Sequence, residues 1–207
     1  MPPKTDSVPL LEPESQDAEL RSKHSRCLTR ACLAYEDSLE RLPLATKMVT
    51  SGVLYGLGDV IAQQIRSECC FDSERFLRAV AYGGIFYPPF AHAHFNFLEW
   101  LVVSQWVVPT KFVPWVKMGL EQFVYWSYFS NAYYHVVLGV LQGMSLRQVQ
   151  RRLWGTLWDT LLAQWALWVP VQVLNFRFVP VRHQLGVVLV VSLVWTTFLS
   201  LAFPPAQ

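Results

Sequence analysis

The chain has 207 residues, of which 53% are hydrophobic and only 15% are charged, and it contains 9 tryptophans. Soluble domains usually carry more charge, so this composition favours a polytopic membrane protein built as a single domain. The formal net charge is only +2, which does not provide the basic surface that nucleic-acid binding requires, and no nucleic-acid partner is expected.

The amino-terminal segment changes from acidic to basic. Residues 1–20 contain several Asp, Glu, Pro and Ser residues, and we predict that they form a disordered acidic tail. Residues 21–43 are basic, and within them Leu28, Cys32 and Leu39 fall at helical spacing. This segment is therefore predicted to be an amphipathic helix that lies on a membrane surface or leads into the first span.

The remaining residues, 44–203, are predicted to form an all-α membrane domain with four transmembrane helices and further amphipathic helices at the interface. A helix needs about 20 predominantly apolar residues to cross a bilayer. Suitable segments lie at about residues 44–65, 76–103, 115–141 and 185–203. The second segment contains Gly83-Gly84 and Pro88-Pro89, which predict a kink or a local unwinding of the helix.

A series of tryptophans precedes the last predicted span. The series consists of Trp154, Trp158, Trp165 and Trp168. This spacing places the rings on one side of a helix, and indole rings favour the boundary between lipid and water. We therefore predict an interfacial helix here, followed by breaks of the chain at Pro170 and Pro180.

Isolated polar residues share one face in each of the first three predicted spans. In the first span this face also carries Gly52 and Gly56, and small residues let a neighbouring helix approach closely. The polar set consists of Asp59, Gln63, His92, Asn96, Glu99, Lys117 and Glu121. These side chains either line an aqueous path, as ionisable groups inside membranes often do, or hydrogen-bond to one another and hold the bundle together. The sequence leaves both interpretations open.

The third predicted span has the longest polar face. Lys117 and Glu121 share it with Tyr128, Asn131 and His135, judged by helical spacing. Lys117 and Glu121 are also placed so that they can pair along the helix.

No catalytic or metal-binding constellation is predicted. His92 and Glu99 share a helical face that His94 does not join, because side chains two positions apart point to different sides. The cysteines are not spaced as a metal site, and the sequence has no nucleophile elbow, P-loop or dinucleotide-binding fingerprint. We therefore expect no enzyme activity, no metal and no cofactor.

Arginines flank the tryptophan series, and we predict that they contact membrane lipids. They are Arg147, Arg151, Arg152, Arg177 and Arg182. Basic clusters at a membrane surface bind acidic head groups, so these side chains together are expected to hold the phosphates of a lipid such as cardiolipin.

The carboxyl-terminal part contains aromatic and amide residues at fixed spacing. The series is Trp165-x-x-Trp168-x-Pro170-x-Gln172-x-x-Asn175-Phe176-x-x-Val179-Pro180, followed by Trp195-x-x-Phe198-Leu199-Ser200. Further positions of the pattern are Thr50-Ser51-Gly52, Gly56-Leu57-Gly58-Asp59, Tyr82-Gly83 and Glu121-Gln122. These residues resemble the Mpv-seventeen and 22-kilodalton peroxisomal membrane protein family. The resemblance covers about residues 35–203.

The resemblance implies a small four-span protein that acts in membrane homeostasis, in some members with a weakly selective channel activity. It indicates the mitochondrial inner membrane, with the peroxisomal membrane as the less favoured alternative. Asp159, Gln164 and Gln184 stand where the family usually has other residues, which marks a divergent member. A second role therefore stays open, as a structural accessory subunit of a large inner-membrane complex such as the respiratory chain or the ATP synthase.

Overall fold

The computed structural model describes residues 29–65 and 70–202. Within these residues the chain is helical, with turns and bends between the helices and no β-strand, which confirms the predicted all-α fold class. The acidic tail predicted over residues 1–20 lies outside the described residues, and so does Phe203, the end of the last predicted span.

The chain divides into two compact units between Leu42 and Pro43. The first unit contributes helix α1, residues 29–41, which lies within the basic segment predicted to be helical. In this helix Arg41 Nε donates to Asp37 Oδ1 at 2.8 Å, and both side chains are exposed. The second unit contains the candidate site.

The second unit consists of α-helices that are connected by turns and by π-helical segments. Its α-helices are α2 (Pro43–Ile65), α3 (Ser73–Ala81), α4 (Tyr87–Glu99), α5 (Val113–Gly119), α6 (Trp126–Leu141), α7 (Leu146–Phe178) and α8 (Val181–Ala202). Its π-helical segments are Tyr82–Phe86, Trp100–Gln105 and Leu120–Val124. None of the helices in the described ranges has both the length and the apolar character needed to cross a membrane. The assignment of four spans stays a prediction.

The local unwinding predicted at Gly83-Gly84 is present as the π-helical segment Tyr82–Phe86. In a π-helix each N–H bonds to the carbonyl five residues earlier, which widens the turn by one residue. Pro88 and Pro89 follow in the first turn of α4, where a missing backbone N–H is tolerated best. The chain therefore continues from α3 into α4 as one irregular helix.

Small residues bring α2 close to the helix that follows it. A Cβ atom added to Gly52 would lie 3.2 Å from the Cα of Gly84, and one added to Gly56 would lie 2.9 Å from Val80 Cγ2. Larger side chains at these positions would push the two helices apart. The glycine face of α2 is thus its contact face with α3 and the π-helical segment, and α8 packs against α2 as well.

The polar face predicted for the third span is divided by the π-helical segment Leu120–Val124. A π-helical turn contains one residue more than an α-helical turn, so side chains beyond it are rotated by about 100°. Glu121 and Asn131 are buried, at 1% and 8% exposure, whereas Tyr128 is 37% exposed. The single continuous face predicted for this span is therefore wrong.

Helix α7 (Leu146–Phe178) packs lengthwise against α6 and α5, and its predicted position at the membrane interface stays a prediction. Near its start, Val149 packs against Gly139 at the end of α6. Further along, Gln172 donates a hydrogen bond to Glu121, which follows α5. Helix α7 therefore runs antiparallel to α5 and α6 and is a member of the bundle.

The break predicted at Pro170 is absent, because α7 continues through this residue and the chain breaks only at Pro180. Packing against α5 and α6 holds the helix together although proline removes one backbone hydrogen bond. Trp154 and Trp158 are 65% and 64% exposed, whereas Trp168 is 7% exposed. The rings share one side of α7, and that side is exposed at Trp154 and Trp158 but buried at Trp168.

Candidate functional site

The candidate site is centred on a buried carboxyl group, that of Glu121, which is 1% exposed. This side chain belongs to the π-helical segment Leu120–Val124 and contacts α4 and α7. Its Oε1 accepts a hydrogen bond from Gln172 Nε2 at 2.6 Å and lies 3.4 Å from His94 Nε2. Its Oε2 has no hydrogen-bond partner among the described residues. A buried oxygen without a partner is costly, so this atom is available to a proton, to water or to a ligand.

His94 on α4 is held from both sides. Its Nδ1 lies 2.9 Å from the hydroxyl oxygen of Tyr125, and its ring stacks on Trp126 with 3.8 Å between the ring centres. These contacts direct Nε2 towards Glu121, and a carboxylate and an imidazole in this arrangement can share one proton. In the part of the chain that the structure describes, no group of three or more His, Cys, Asp or Glu side chains is arranged to hold a metal ion.

Amides extend this cluster to the junction of α7 and α8. Asn175 Nδ2 donates to Gln172 Oε1 at 2.9 Å and to the backbone carbonyl of Gln184 at 3.2 Å. Gln184 Nε2 in turn donates to the carbonyl of Val179 at 3.0 Å. Because all three amide residues are nearly inaccessible to solvent, these bonds fix the junction and hold Gln172 against Glu121.

A second buried network joins α7 to α6 and to the π-helical segment before it. Ser127 Oγ donates to Gln122 Oε1 and accepts from Gln164 Nε2, each at 3.0 Å. Asn131 Nδ2 donates to Gln164 Oε1, and Trp165 Nε1 donates to the backbone carbonyl of Gln122 at 2.8 Å. Buried polar groups are stable only when they are hydrogen-bonded, so this network fixes the position of α7.

A cavity of about 80 Å³ adjoins both networks. Its walls are formed by Tyr55, Tyr82, Tyr87, Glu121, Gln122, Trp126, Ser130, Asn131, Tyr134, Gln164, Trp168, Gln172, Val188, Ser192 and Trp195. A single water needs about 10–15 Å³ of such space, so the cavity has room for several waters or for one small ligand. Among the residues that line the cavity, Glu121 is the one that carries a carboxyl group.

Lys117 pairs with Glu99 of α4 and not with Glu121, the partner that the sequence suggests. The side chain of Lys117 is 2% exposed and that of Glu99 is 39% exposed. The ammonium group also lies 5.7 Å from the ring centre of Phe176. Glu121 instead contacts Gln172 on α7 and His94 on α4.

Asp59 and Gln63, at the carboxyl end of α2, contact the start of α3. Arg75 Nε donates to Asp59 Oδ1 at 2.8 Å, and Gln63 Nε2 donates to Asp59 Oδ2 at 2.8 Å. Gln63 Oε1 also accepts the backbone N–H of Asp72 at 2.7 Å. These bonds tie α2 to α3.

His92 and Asn96 lie on another side of α4, where His92 contacts α2. Lys47 Nζ lies 3.0 Å from His92 Nδ1, and Asn96 Nδ2 lies 3.2 Å from His92 Nε2. The polar residues singled out in the sequence therefore lie in separate groups, and each group has partners of its own.

The arginines predicted to hold one lipid together lie at opposite ends of α7. Arg147, Arg151 and Arg152 lie in its first two turns, and Arg177 lies in its last turn. At 1.5 Å per residue, Arg147 and Arg177 are about 45 Å apart along the helix. Arg182 follows in the first turn of α8. The prediction of a single shared head-group site is therefore wrong.

Comparison with known proteins decides the family. A family model described as "Mpv17 / PMP22 family" matches residues 139–200, from the end of α6 into α8. The protein SYM1 of Eremothecium gossypii is 32% identical over 168 residues, which cover 80% of this chain and 92% of the relative. The chain belongs to the Mpv17/PMP22 family. The protein SYM1 of Saccharomyces cerevisiae is 31% identical over 178 residues, which cover 80% of this chain and 86% of the relative.

This membership confirms the resemblance seen in the sequence. The mitochondrial inner membrane protein Mpv17 of Danio rerio is 30% identical over 170 residues, which cover 81% of this chain and 93% of the relative. The Mpv17/PMP22 member described here is accordingly a protein of the mitochondrial inner membrane, as predicted. No solved structure matches the chain.

In this Mpv17/PMP22 member, sequence reasoning missed most of the side chains around Glu121. The side chain of His94 points to a different side of α4 from that of His92, as the sequence predicts, and that side faces Glu121. Gln164 and Gln172 are isolated amides in an uncharged stretch, which is a usable signal, because an amide inside a membrane helix needs a partner. Their partners lie on other helices, and helical spacing alone does not identify them.

Proposed function

We propose that this chain crosses the inner membrane and acts as a small, weakly selective channel whose polar interior is closed in this conformation. The four predicted spans correspond to α2, to α3 with α4, to α5 with α6, and to α8. Helix α7, packed along α5 and α6, is then a fifth segment that crosses the membrane. The observation that carries the proposal is the buried, partly unpartnered carboxyl group of Glu121 beside a cavity between the helices.

The distribution of side chains supports the placement of this unit in lipid. Along α2, Val49, Val53, Leu57 and Ile61 recur at every fourth residue and are 69%, 56%, 48% and 41% exposed. The same helix buries Gln63, which is 4% exposed. Apolar side chains outside and polar side chains inside are expected where the surrounding solvent is hydrocarbon.

The length of α7 also fits a bilayer. The distance of about 45 Å between Arg147 and Arg177 is close to the thickness of a bilayer with its head groups, about 40–45 Å. Acidic lipids such as cardiolipin would meet Arg147, Arg151 and Arg152 in one leaflet and Arg177 and Arg182 in the other.

Charged groups on either side of the cavity support a path for ions. Towards one side, Glu121 is followed by the ion pair of Lys117 with Glu99, whose carboxylate is partly exposed. Towards the other side, Tyr134 lines the cavity and interacts with the charges of Arg152 and Arg75 and, more weakly, with that of Asp59. Because these groups are paired or hydrogen-bonded, conduction requires the pairs to separate. Carboxylates along the path would favour cations.

Conductance of the purified protein in planar bilayers tests the proposal. We expect the protein to conduct, and we expect Glu121→Gln to lower the preference for cations over anions about twofold or more, because the amide keeps the shape of the side chain and removes its charge. Glu74→Gln is the matched control. Glu74 is 84% exposed in its ion pair with Arg78 of α3, and its replacement should leave the selectivity unchanged.

Correctly folded protein that does not conduct would contradict the channel. If the chain then migrates wholly within a large assembly on native electrophoresis of mildly solubilised mitochondria, the role of an accessory subunit takes its place. In that case the exposed rings of Trp154 and Trp158 are the surface that a partner subunit would cover.

A further inference from the structure

Seven of the fifteen residues that line the cavity beside Glu121 are aromatic, namely four tyrosines and three tryptophans. Tyr82 lies at the centre of the tyrosine group. Its ring centre is 5.5 Å from that of Tyr55, 6.0 Å from that of Tyr87 and 5.2 Å from that of Tyr134. The face of an aromatic ring is negative and attracts cations, so aromatic residues are common in the binding sites of organic cations.

The carboxyl group in this wall gives a second, independent reason to expect a cation. Glu121 Oε1 already accepts the hydrogen bond from Gln172, whereas Oε2 is buried and has no partner among the described residues. The neighbouring cation, Lys117, pairs with Glu99 instead. His94 Nε2 lies 3.4 Å from Oε1, so a cation in the cavity would pair with Oε2, the oxygen that neither Gln172 nor His94 contacts.

The type of wall decides between classes of cation. Metal ions such as Ca²⁺ are held by six or more oxygen ligands that usually include several carboxylates, and Glu121 is the single carboxylate residue among those that line the cavity. Aromatic cages instead recognise organic ammonium groups, whose methyl groups pack on the rings while the charge interacts with the ring faces. The volume limits the size, because about 80 Å³ is roughly half of an engineered cavity of about 150 Å³ that holds benzene.

We propose that the cavity is a binding site for a small alkylammonium cation, such as methylammonium or dimethylammonium, held by the aromatic walls and by Glu121 Oε2. Tetramethylammonium is too large for the cavity and cannot donate a hydrogen bond to the carboxylate. Binding at this site does not require conduction, so the test of the binding site is independent of the test of the channel.

Binding is measured on the full chain purified in detergent. At equal ionic strength, methylammonium or dimethylammonium at about ten times its Kd is expected to raise Tm by about 3 °C or more. Tetramethylammonium and Na⁺ should give no comparable shift. Saturation-transfer NMR should show magnetisation passing from aromatic protons of the wild-type protein to the methyl protons of the ligand.

Two replacements localise the site. Glu121→Gln should abolish the Tm shift, whereas the surface replacement Glu74→Gln should retain it. A Tm shift of equal size with Na⁺ would overturn the proposal. It would also be overturned if the Tm shift and the NMR signal both persist in Glu121→Gln. The absence of both signals in the wild-type protein would overturn it as well, and that result does not depend on whether any variant folds.

Discussion

Gly83→Ala is expected to lower the free energy of unfolding by about 1–3 kcal/mol, the usual cost of overpacking an interior. A Cβ atom at this position would lie 2.5 Å from both the Cβ and the Cγ of Tyr55 on α2. These atoms form the root of the Tyr55 side chain, so a change of rotamer does not relieve the clash. Either α2 or the π-helical segment Tyr82–Phe86 must move. Thermal unfolding in detergent, followed by near-ultraviolet circular dichroism, measures the loss.

The same chemical change at Gly155 is the matched control. This glycine lies inside α7, and a Cβ atom there would meet nothing within 4 Å. Because alanine favours a helix over glycine by up to about 1 kcal/mol, Gly155→Ala should leave Tm unchanged or raise it. Equal Tm values for Gly83→Ala and Gly155→Ala would show that α2 does not approach the π-helical segment as closely as described.

Glu99→Gln is expected to destabilise the protein much more than Lys117→Met, although each replacement breaks the same ion pair. The Lys117 ammonium group is 2% exposed, so loss of its carboxylate leaves a buried charge uncompensated, which typically costs roughly 3–5 kcal/mol. The carboxylate of Glu99 is 39% exposed and can be solvated, so Lys117→Met should cost about 1 kcal/mol or less.

Chemical denaturation of both single variants and of the double variant measures this asymmetry. The double variant should recover most of the stability lost in Glu99→Gln, which a double-mutant cycle reports as a coupling energy. Similar losses in both single variants, or additive losses in the double variant, would exclude a buried charge at Lys117.

The features that the sequence predicts correctly depend on local chemistry. Gly83-Gly84 indicates a departure from α-helical geometry because glycine weakens a helix wherever it stands, and the π-helical segment is there. Gly52 and Gly56 indicate a close contact because they are small, and both lie against the next helix.

The features that the sequence misses depend on which helices are neighbours. Pro170 predicts a break, yet α7 continues through it and packs against α5 and α6. Lys117 and Glu121 have the spacing of a pair on an ideal α-helix, yet Lys117 pairs with Glu99 and Glu121 bonds to Gln172, both on other helices. The partner of Glu121 is a histidine on another helix, His94, which no spacing rule connects to it.

The central claim is that exposed apolar side chains of the bundle, such as those of Val49, Val53, Leu57 and Ile61 on α2, face hydrocarbon, whereas its polar groups are enclosed. Single spin labels test this claim in liposomes. One label is attached at position 53 through Val53→Cys and the other at Cys70, which is exposed before α3, and in each protein the remaining cysteines are replaced. The account predicts that molecular oxygen relaxes the Val53 label more than a water-soluble nickel chelate does, with the opposite order at Cys70. A Val53 label that the nickel chelate reaches as readily as the Cys70 label would contradict the account.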